Sequence, residues 1–136
     1  MNDYLVDSSF IIALYNPRDK NRKRAQEFIA ETSSILRLPE VALAEISHML
    51  RRFVSQRAVL AFMDGLQGLT LQSVNSDDLR RAKMIMQTYH ESDFDLVDCC
   101  IMALAERLQI SEILTFDRRD FGIYRPNHTN HLHLLP

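Results

Sequence analysis

The chain alternates between short β-prone runs and longer segments whose apolar residues recur at helical spacing. Tyr4-Leu5-Val6 is the first such run, closed by Asp7-Ser8-Ser9, residue types that cap helices and fill turns. Phe10 to Tyr15 reads as a short apolar helix stopped by Asn16-Pro17, because proline forces its predecessor out of the helical region. Asp19 to Glu31 places Ala25, Phe28 and Ile29 on one face and predicts a second helix. Ser34 to Leu38 reads as a strand, and Pro39 suits the first turn of a helix that runs to about Val54, with Leu43, Ile46, Leu50 and Phe53 at helical spacing. Arg57 to Leu66 predicts another helix, ended by Gly68, and Leu69 to Val74 alternates as a strand does. Asn75-Ser76-Asp77-Asp78 supplies cap residues for a helix through Tyr89.

The stretch from Phe94 to Gly122 has a different character. Leu96 to Ala105 is apolar almost all round, as in a helix buried on every side, and one carboxylate, Asp98, interrupts it. A short apolar strand, Glu112 to Phe116, follows and stops at Asp117, and His131 to Leu135 makes a last short strand. Burying an acid without a partner is costly, so Asp98 needs a cap role, a cation or a metal.

Strands separated by helices, with few hairpin signals, predict an α/β fold around a mostly parallel sheet flanked by helices. In such a sheet every strand ends at one edge, and ligands bind outside those carboxyl ends. Asp7 ends the first strand and Asp117 the strand inside Phe94–Gly122, so the two carboxylates are expected at one rim.

Composition narrows the class. At 136 residues the chain has the size of one domain, and 46% hydrophobic with 25% charged residues is the balance of a globular protein in water. No run approaches about 18 apolar residues, so no membrane span is expected. The MNDYLVDSS start lacks a basic leader with an apolar stretch, so no signal peptide is expected. Cys99 and Cys100 are adjacent in a predicted helix and make a poor disulfide pair, which points to a reducing, cytoplasmic home. A formal net charge of -2 gives no global basic footprint for nucleic acid, but charge is uneven: Arg18, Lys20, Arg22, Lys23 and Arg24 crowd together, and Arg51-Arg52, Arg80-Arg81 and Arg118-Arg119 form pairs.

Singly, each acid has an ordinary structural role. Asp7 can cap a helix; Asp98 can sit in the first turn of a helix capped by Asp95; Glu45 shares a face with Val41, His48 and Arg52; Asp117 can start a turn. Together they fit one order: strand-end Asp7 followed by small hydroxyl residues, Glu45 inside the Pro39-started helix, Asp98 heading an apolar helix, and Thr115-Phe116-Asp117 leading to Phe121. In this the chain resembles the PIN-domain ribonucleases from end to end, through LVDSSFIIAL, LPEVALAEI, DLVDCCIMALAERL, ILTFDRRDFG and the closing RP-to-LLP tail. Within that family it looks most like the VapC-type toxins of bacterial toxin–antitoxin pairs.

The resemblance implies one PIN domain over residues 1–136, with a Rossmann-like sheet and a carboxylate cluster that holds Mg²⁺, or Mn²⁺ in its place. It carries over Asp7, Glu45, Asp98 and Asp117 as the catalytic and metal-holding acids, with Ser9 and Thr115 as polar supports. It further implies an RNA substrate, a cognate antitoxin and a homodimer. The chemistry is consistent with those residue types. Mg²⁺ takes oxygen ligands, and clustered carboxylates protonate unless a cation neutralises them. An ion so held activates water for phosphodiester hydrolysis, with Asp7, Asp98 and Asp117 in its shell and Glu45 ligating or orienting the water. Near such a site the arginine clusters become candidate phosphate contacts, Arg18 to Arg24 and Arg118-Arg119 above all.

Two other classes remain. An aspartate-based phosphohydrolase also places a nucleophilic Asp after its first strand. The haloacid-dehalogenase-like enzymes carry a second Asp two residues on, where this chain has Ser9. A non-catalytic module of the same fold, binding RNA or protein, is opposed by the completeness of the acidic set. Asp95 and Asp120 read as cap and turn residues, and no ligand role is assigned to Asp93. His128, His131 and His133 lack a matching acid or cysteine for a soft-metal site, and Met84 and Met86 read as core or interface filler.

Overall fold

A computed structural model describes residues 2–136; Met1, the first residue of the expected domain, lies outside them. The strands are β1 (Asp3–Val6), β2 (Ile35–Pro39), β3 (Thr70–Gln72), β4 (Glu112–Leu114) and β5 (His133–Leu135). The helices are α1 (Ser8–Tyr15), α2 (Arg22–Glu31), α3 (Leu43–Phe53), α4 (Gln56–Gly65), α5 (Ser76–Thr88), α6 (Leu96–Leu108) and α7 (Arg118–Ile123). The sheet runs β3-β2-β1-β4-β5, and every pairing in it is parallel. The expected Rossmann-like α/β architecture is therefore present, with the sheet parallel throughout.

Alternation along the central strands divides the core into two layers. Leu5 and Ile113 point to one face, against α5 and α6; Val6, Leu38 and Leu114 point to the other, against α1, α3 and α4. Each fully buried Leu, Ile or Phe contributes about 1.5–3 kcal/mol of transfer free energy, so these layers dominate stability. α6 lies between the sheet and α5 with α7 beside it, which is why Asp98 to Ala105 are buried on every side. Asp95 caps α6 by accepting from the Asp98 N–H at 2.8 Å, and Asn75 with Asp78 forms a reciprocal capping box at α5.

Several boundaries differ from the sequence reading, each for a local reason. Pro39 ends β2, paired in register with Gln72, and a 3₁₀ turn over Glu40–Ala42 precedes α3, so it does not start the helix. α2 begins at Arg22 rather than Asp19, because the Asp19 carboxylate accepts from the Asn21 N–H at 2.8 Å and holds a turn. β4 stops at Leu114, two residues short of Phe116, because Thr115 and Phe116 turn their polar groups towards Asp7 and Ser9. β3 and β5 are likewise shorter than expected. Residues 118–123, to which the sequence pattern assigns no element, form α7.

The direction of chain order reverses between β1 and β4. β1 connects onward to β2 and β3 on one side, while β4 and β5 lie on the other. That is the switch point at which a parallel sheet opens a crevice at its carboxyl edge.

Candidate active site

Asp7 occupies that crevice. Its N–H donates to the Leu114 carbonyl at 2.9 Å, fixing it beside the end of β4, and it is 3% exposed. Its Oδ2 accepts from the Ser9 hydroxyl at 2.7 Å, the Thr115 hydroxyl at 2.9 Å and the Ser9 N–H at 3.3 Å. All three bonds end on Oδ2, and Oδ1 accepts none of them. The same residue is the N-cap of α1.

The two hydroxyls tie the rim together. With its proton given to Asp7, the Ser9 Oγ accepts from the Phe116 N–H at 3.0 Å. Thr115 Oγ1 accepts from the Asp117 N–H at 3.0 Å and is fully buried. Ser9 and Thr115 thus hold the β4–α7 turn against Asp7.

Asp98 is the third residue of α6 and 7% exposed, and its carboxylate accepts no hydrogen bond among the described residues. Burial pushes its pKa up to about 8, and repulsion from Asp7, Asp95, Asp120 and Asp117 adds to the shift. Burial also raises Asp7, while its bonds from Ser9 and Thr115 pull it back towards the carboxylate range. Two acids at one crevice, one kept neutral by its surroundings and one held by hydroxyls, form a centre whose charge depends on what binds there.

Asp117 stands at the N-cap position of α7 but makes no capping bond, and its side chain is exposed. Asp120, one turn further along, is ion-paired with Arg119 at 2.8 Å. Sequence reading gave Asp120 a turn role; its signal was the three-residue spacing from Asp117, usable only once 118–123 is known to be helical. Asp95 caps α6 as expected and adds its charge to the field at Asp98. Glu45 lies half-buried in the first turn of α3, on the helix that follows β2. It shares no hydrogen bond or ion pair with the other acids among the described residues, and it is not one of the four acids that raise Asp98.

The acids suit a hard divalent ion in kind. They are oxygen donors, they repel one another, and Asp98 retains a proton that a cation would displace. Among the described residues, however, no three His, Cys, Asp or Glu side chains converge closely enough to hold an ion as they stand. The histidines are equally dispersed: His128 Nε2 lies 2.8 Å from the Ile110 carbonyl, and His131 packs against His133 with ring centroids 5.0 Å apart. Cys99 and Cys100 are free and buried, and burial together with Asp98 pushes the Cys99 thiol up to about 12, so neither is a nucleophile at neutral pH. No helix among the described residues is long and apolar enough to cross a membrane.

Comparison with known proteins agrees with this architecture. Ribonuclease VapC26 of Mycobacterium tuberculosis is 25% identical over 124 residues, covering 90% of this chain and 92% of its own. Among solved structures, M. tuberculosis VapC20, described as a sarcin–ricin loop cleaving toxin, superposes with a TM-score of 0.82 at 22% identity, over 93% of this chain and 98% of its own. A toxin–antitoxin complex from Klebsiella pneumoniae matches with a TM-score of 0.69 at 18% identity, over 88% of this chain and 91% of its own. The family model for the PIN domain matches residues 4–125, and the chain belongs to the PIN-domain family.

Proposed function

We propose that this chain is a metal-dependent endoribonuclease and the toxin of a toxin–antitoxin pair. The observation that carries the reading is the placement of Asp7 and Asp98 together at the sheet's switch point, where burial raises the pKa of Asp98 and repulsion from Asp7, Asp95, Asp120 and Asp117 adds to it. A structural cluster has no need of such repulsion, whereas a cation site does.

Asp7, Asp98 and Asp117 would hold Mg²⁺ or Mn²⁺, directly or through water, with Glu45 orienting the attacking water from α3. The chemistry such an ion would supply is Lewis-acid activation of water and charge stabilisation at the scissile phosphodiester. The chain's own residues prepare the site. Ser9 and Thr115 fix the Asp7 carboxylate by one oxygen and leave the other open. Burial keeps Asp98 neutral until positive charge arrives, which limits repulsion in the empty site.

The relatives' names supply the substrate and partners. VapC26 is named a ribonuclease, VapC20 is described as a sarcin–ricin loop cleaving toxin, and the Klebsiella structure is a toxin–antitoxin complex. By that likeness this chain takes RNA and is masked by an antitoxin; the resemblance read from the sequence adds a homodimer, and the adjacent cysteines add a reducing, cytoplasmic home. The test is cleavage of structured RNAs by purified protein with Mg²⁺ or Mn²⁺, in comparison with Asp7→Asn. Loss of cleavage in a folded Asp7→Asn protein is expected; full activity in that variant overturns the mechanism.

A further inference from the structure

Phe53 closes α3 with its side chain in solvent. Of the seven phenylalanines it is the one exposed, at 56%. A single exposed apolar residue is ordinary on a protein surface, but the surroundings of this one are not. The Arg52 guanidinium lies over its ring, 5.5 Å from the centroid. Arg18, 35 positions earlier in the chain, donates to the Phe53 carbonyl oxygen at 3.1 Å. Beside them an open concavity of about 370 Å³ is lined by His48, Arg51 and Arg52. Three guanidinium groups and an imidazole thus gather at the end of α3 around one aromatic ring.

The place of this group follows from the sheet. α1 starts at its cap, Asp7, and its far end leads through Asn16 and Pro17 to Arg18. α3 carries Glu45 in its first turn and Phe53 at its end. The two helices pack against each other on one face of the sheet, each leaving the carboxyl edge of a strand. Acids therefore stand at one end of the pair and arginines at the other. At about 1.5 Å per residue, Phe53 lies about 12 Å along α3 from Glu45, within reach of one bound strand. The helix dipole accounts for Arg51 and Arg52 in the last turn, and a terminal carbonyl accounts for Arg18. Neither accounts for a ring left in solvent among them.

We propose that Phe53, Arg18, Arg51 and Arg52 form a contact surface for an unpaired stretch of the RNA, apart from the acidic centre. The ring stacks on one nucleobase while Arg51 and Arg52 take the phosphates flanking it, as in proteins that hold single strands without reading their sequence. The inference rests on the ribonuclease reading and deepens it. It gives the substrate a holding point that the acids, which repel phosphates, do not supply. RNA fits this surface better than a protein segment does. The concavity beside the ring is lined by His48 and the two arginines, with no apolar side chain to receive one from a partner.

The test is equilibrium binding of a fluorescent single-stranded RNA to the full chain in EDTA, read by anisotropy between about 50 and 200 mM salt. Phe53→Ala should weaken binding about 5- to 150-fold, the range for one lost base–aromatic stack, and leave the salt slope unmoved. Phe53→Tyr should keep the affinity and Phe53→Leu should not, because leucine preserves apolar bulk without a π face. Each phosphate contact on a single strand contributes about 0.7 to the slope of log affinity against log salt. Arg51→Gln with Arg52→Gln should therefore lower the slope by about 1.4, and Arg51→Lys with Arg52→Lys should restore it. Arg80→Gln, on α5 across the sheet, is the control and should bind as wild type does. A wild-type slope in the double glutamine variant, wild-type affinity in Phe53→Ala, or wild-type protein without RNA affinity overturns the surface. So does a labelled glutamate-rich peptide whose binding weakens in these variants while that of RNA does not, which marks a docking site for an acidic protein segment. The nuclease reading fails differently, by wild-type protein that binds RNA yet leaves it uncut with Mg²⁺ or Mn²⁺.

Discussion

The hydroxyl of Thr115 donates to Asp7 Oδ2 at 2.9 Å, joining residues 108 positions apart in the chain. This bond links the ends of β1 and β4 across the switch point, and it fixes which carboxylate oxygen of Asp7 is left open. Thr115→Val keeps the shape of the side chain and removes the donor. The Asp7 carboxylate then loses a bond that favours its charged form, so its pKa, already raised by burial, should rise further. Supporting hydrogen bonds of this kind typically change metal affinity about 10–100-fold. RNA cleavage by Thr115→Val is therefore expected to need about tenfold more Mg²⁺ for half-maximal rate, with its optimum displaced to higher pH. An unchanged metal titration means that Thr115 serves the fold alone.

A second prediction concerns Gly65, the last residue of α4. A methyl group there would meet the Tyr15 hydroxyl at 2.0 Å. Tyr15 cannot swing aside freely, because its ring packs edge-on against Phe62, 5.8 Å between centroids. Gly65→Ala should destabilise the protein by about 1–3 kcal/mol through this overpacking. The double variant with Tyr15→Phe, which removes the clashing oxygen, should recover part of the loss in a urea melt. If the single variant melts as wild type does, the close approach of α4 to α1 is wrong.

How much of this was legible in advance varied with the kind of interaction. Leu5 and Val6 in β1, and Ile46 and Leu50 in α3, announce themselves because burial imposes a period on the sequence. The apolar run around Asp98 likewise foretold a helix buried on all sides. α7 was hidden: RRDFGI contains Gly122 and only one fully buried side chain, Phe121, so no helical stripe is present. The early end of β4 was hidden too, since it depends on Thr115 and Phe116 preferring Asp7 and Ser9 to the sheet. Among the acids, chain order placed Asp7 and Asp117 after strands and Asp98 at a helix start, but the repulsion they exert on Asp98, and the share of it due to Asp120, needed three dimensions.

A third prediction follows from the pair that closes the opposite end of α6. Asp78, 2% exposed in its side chain, accepts from Arg107 at 2.7 and 3.0 Å, and hydrogen bonds from Arg107 and Asn75 hold its pKa low against the opposing effect of burial. Arg107→Ala leaves a buried carboxylate with only its capping bond from the Asn75 N–H. The expected cost is about 2 kcal/mol, the usual penalty for an under-satisfied buried acceptor. RNA cleavage per folded molecule should be unaffected, since the pair lies away from the crevice. Cleavage lost in proportion beyond the unfolded fraction would show that α5 and α6 transmit strain to Asp98.

The fourth prediction is the pH dependence that Asp98 imposes. Its folded value of about 8 lies above the ordinary 3.8, so between those limits the folded protein binds more protons than the unfolded chain. The contribution from Asp98 is thus full below about pH 4 and is lost as pH rises towards about 8, and burial of Asp7 acts with the same sign. Asp78 and Glu106, both lowered, act with the opposite sign, but their stability is lost only at acid pH. In EDTA the melting temperature should therefore fall by several degrees from about pH 5 to about pH 8. Asp98→Asn carries no titrating group and should flatten this fall. Mg²⁺ or Mn²⁺ added at about pH 8 should raise the wild-type melting temperature, because it stabilises the charged form that burial and the neighbouring acids penalise. The increment should shrink in Asp98→Asn. A wild-type melting temperature that is level across this range, or an ion-induced rise of equal size in both proteins, would separate Asp98 from the metal site and leave it as a buried acid in the first turn of α6.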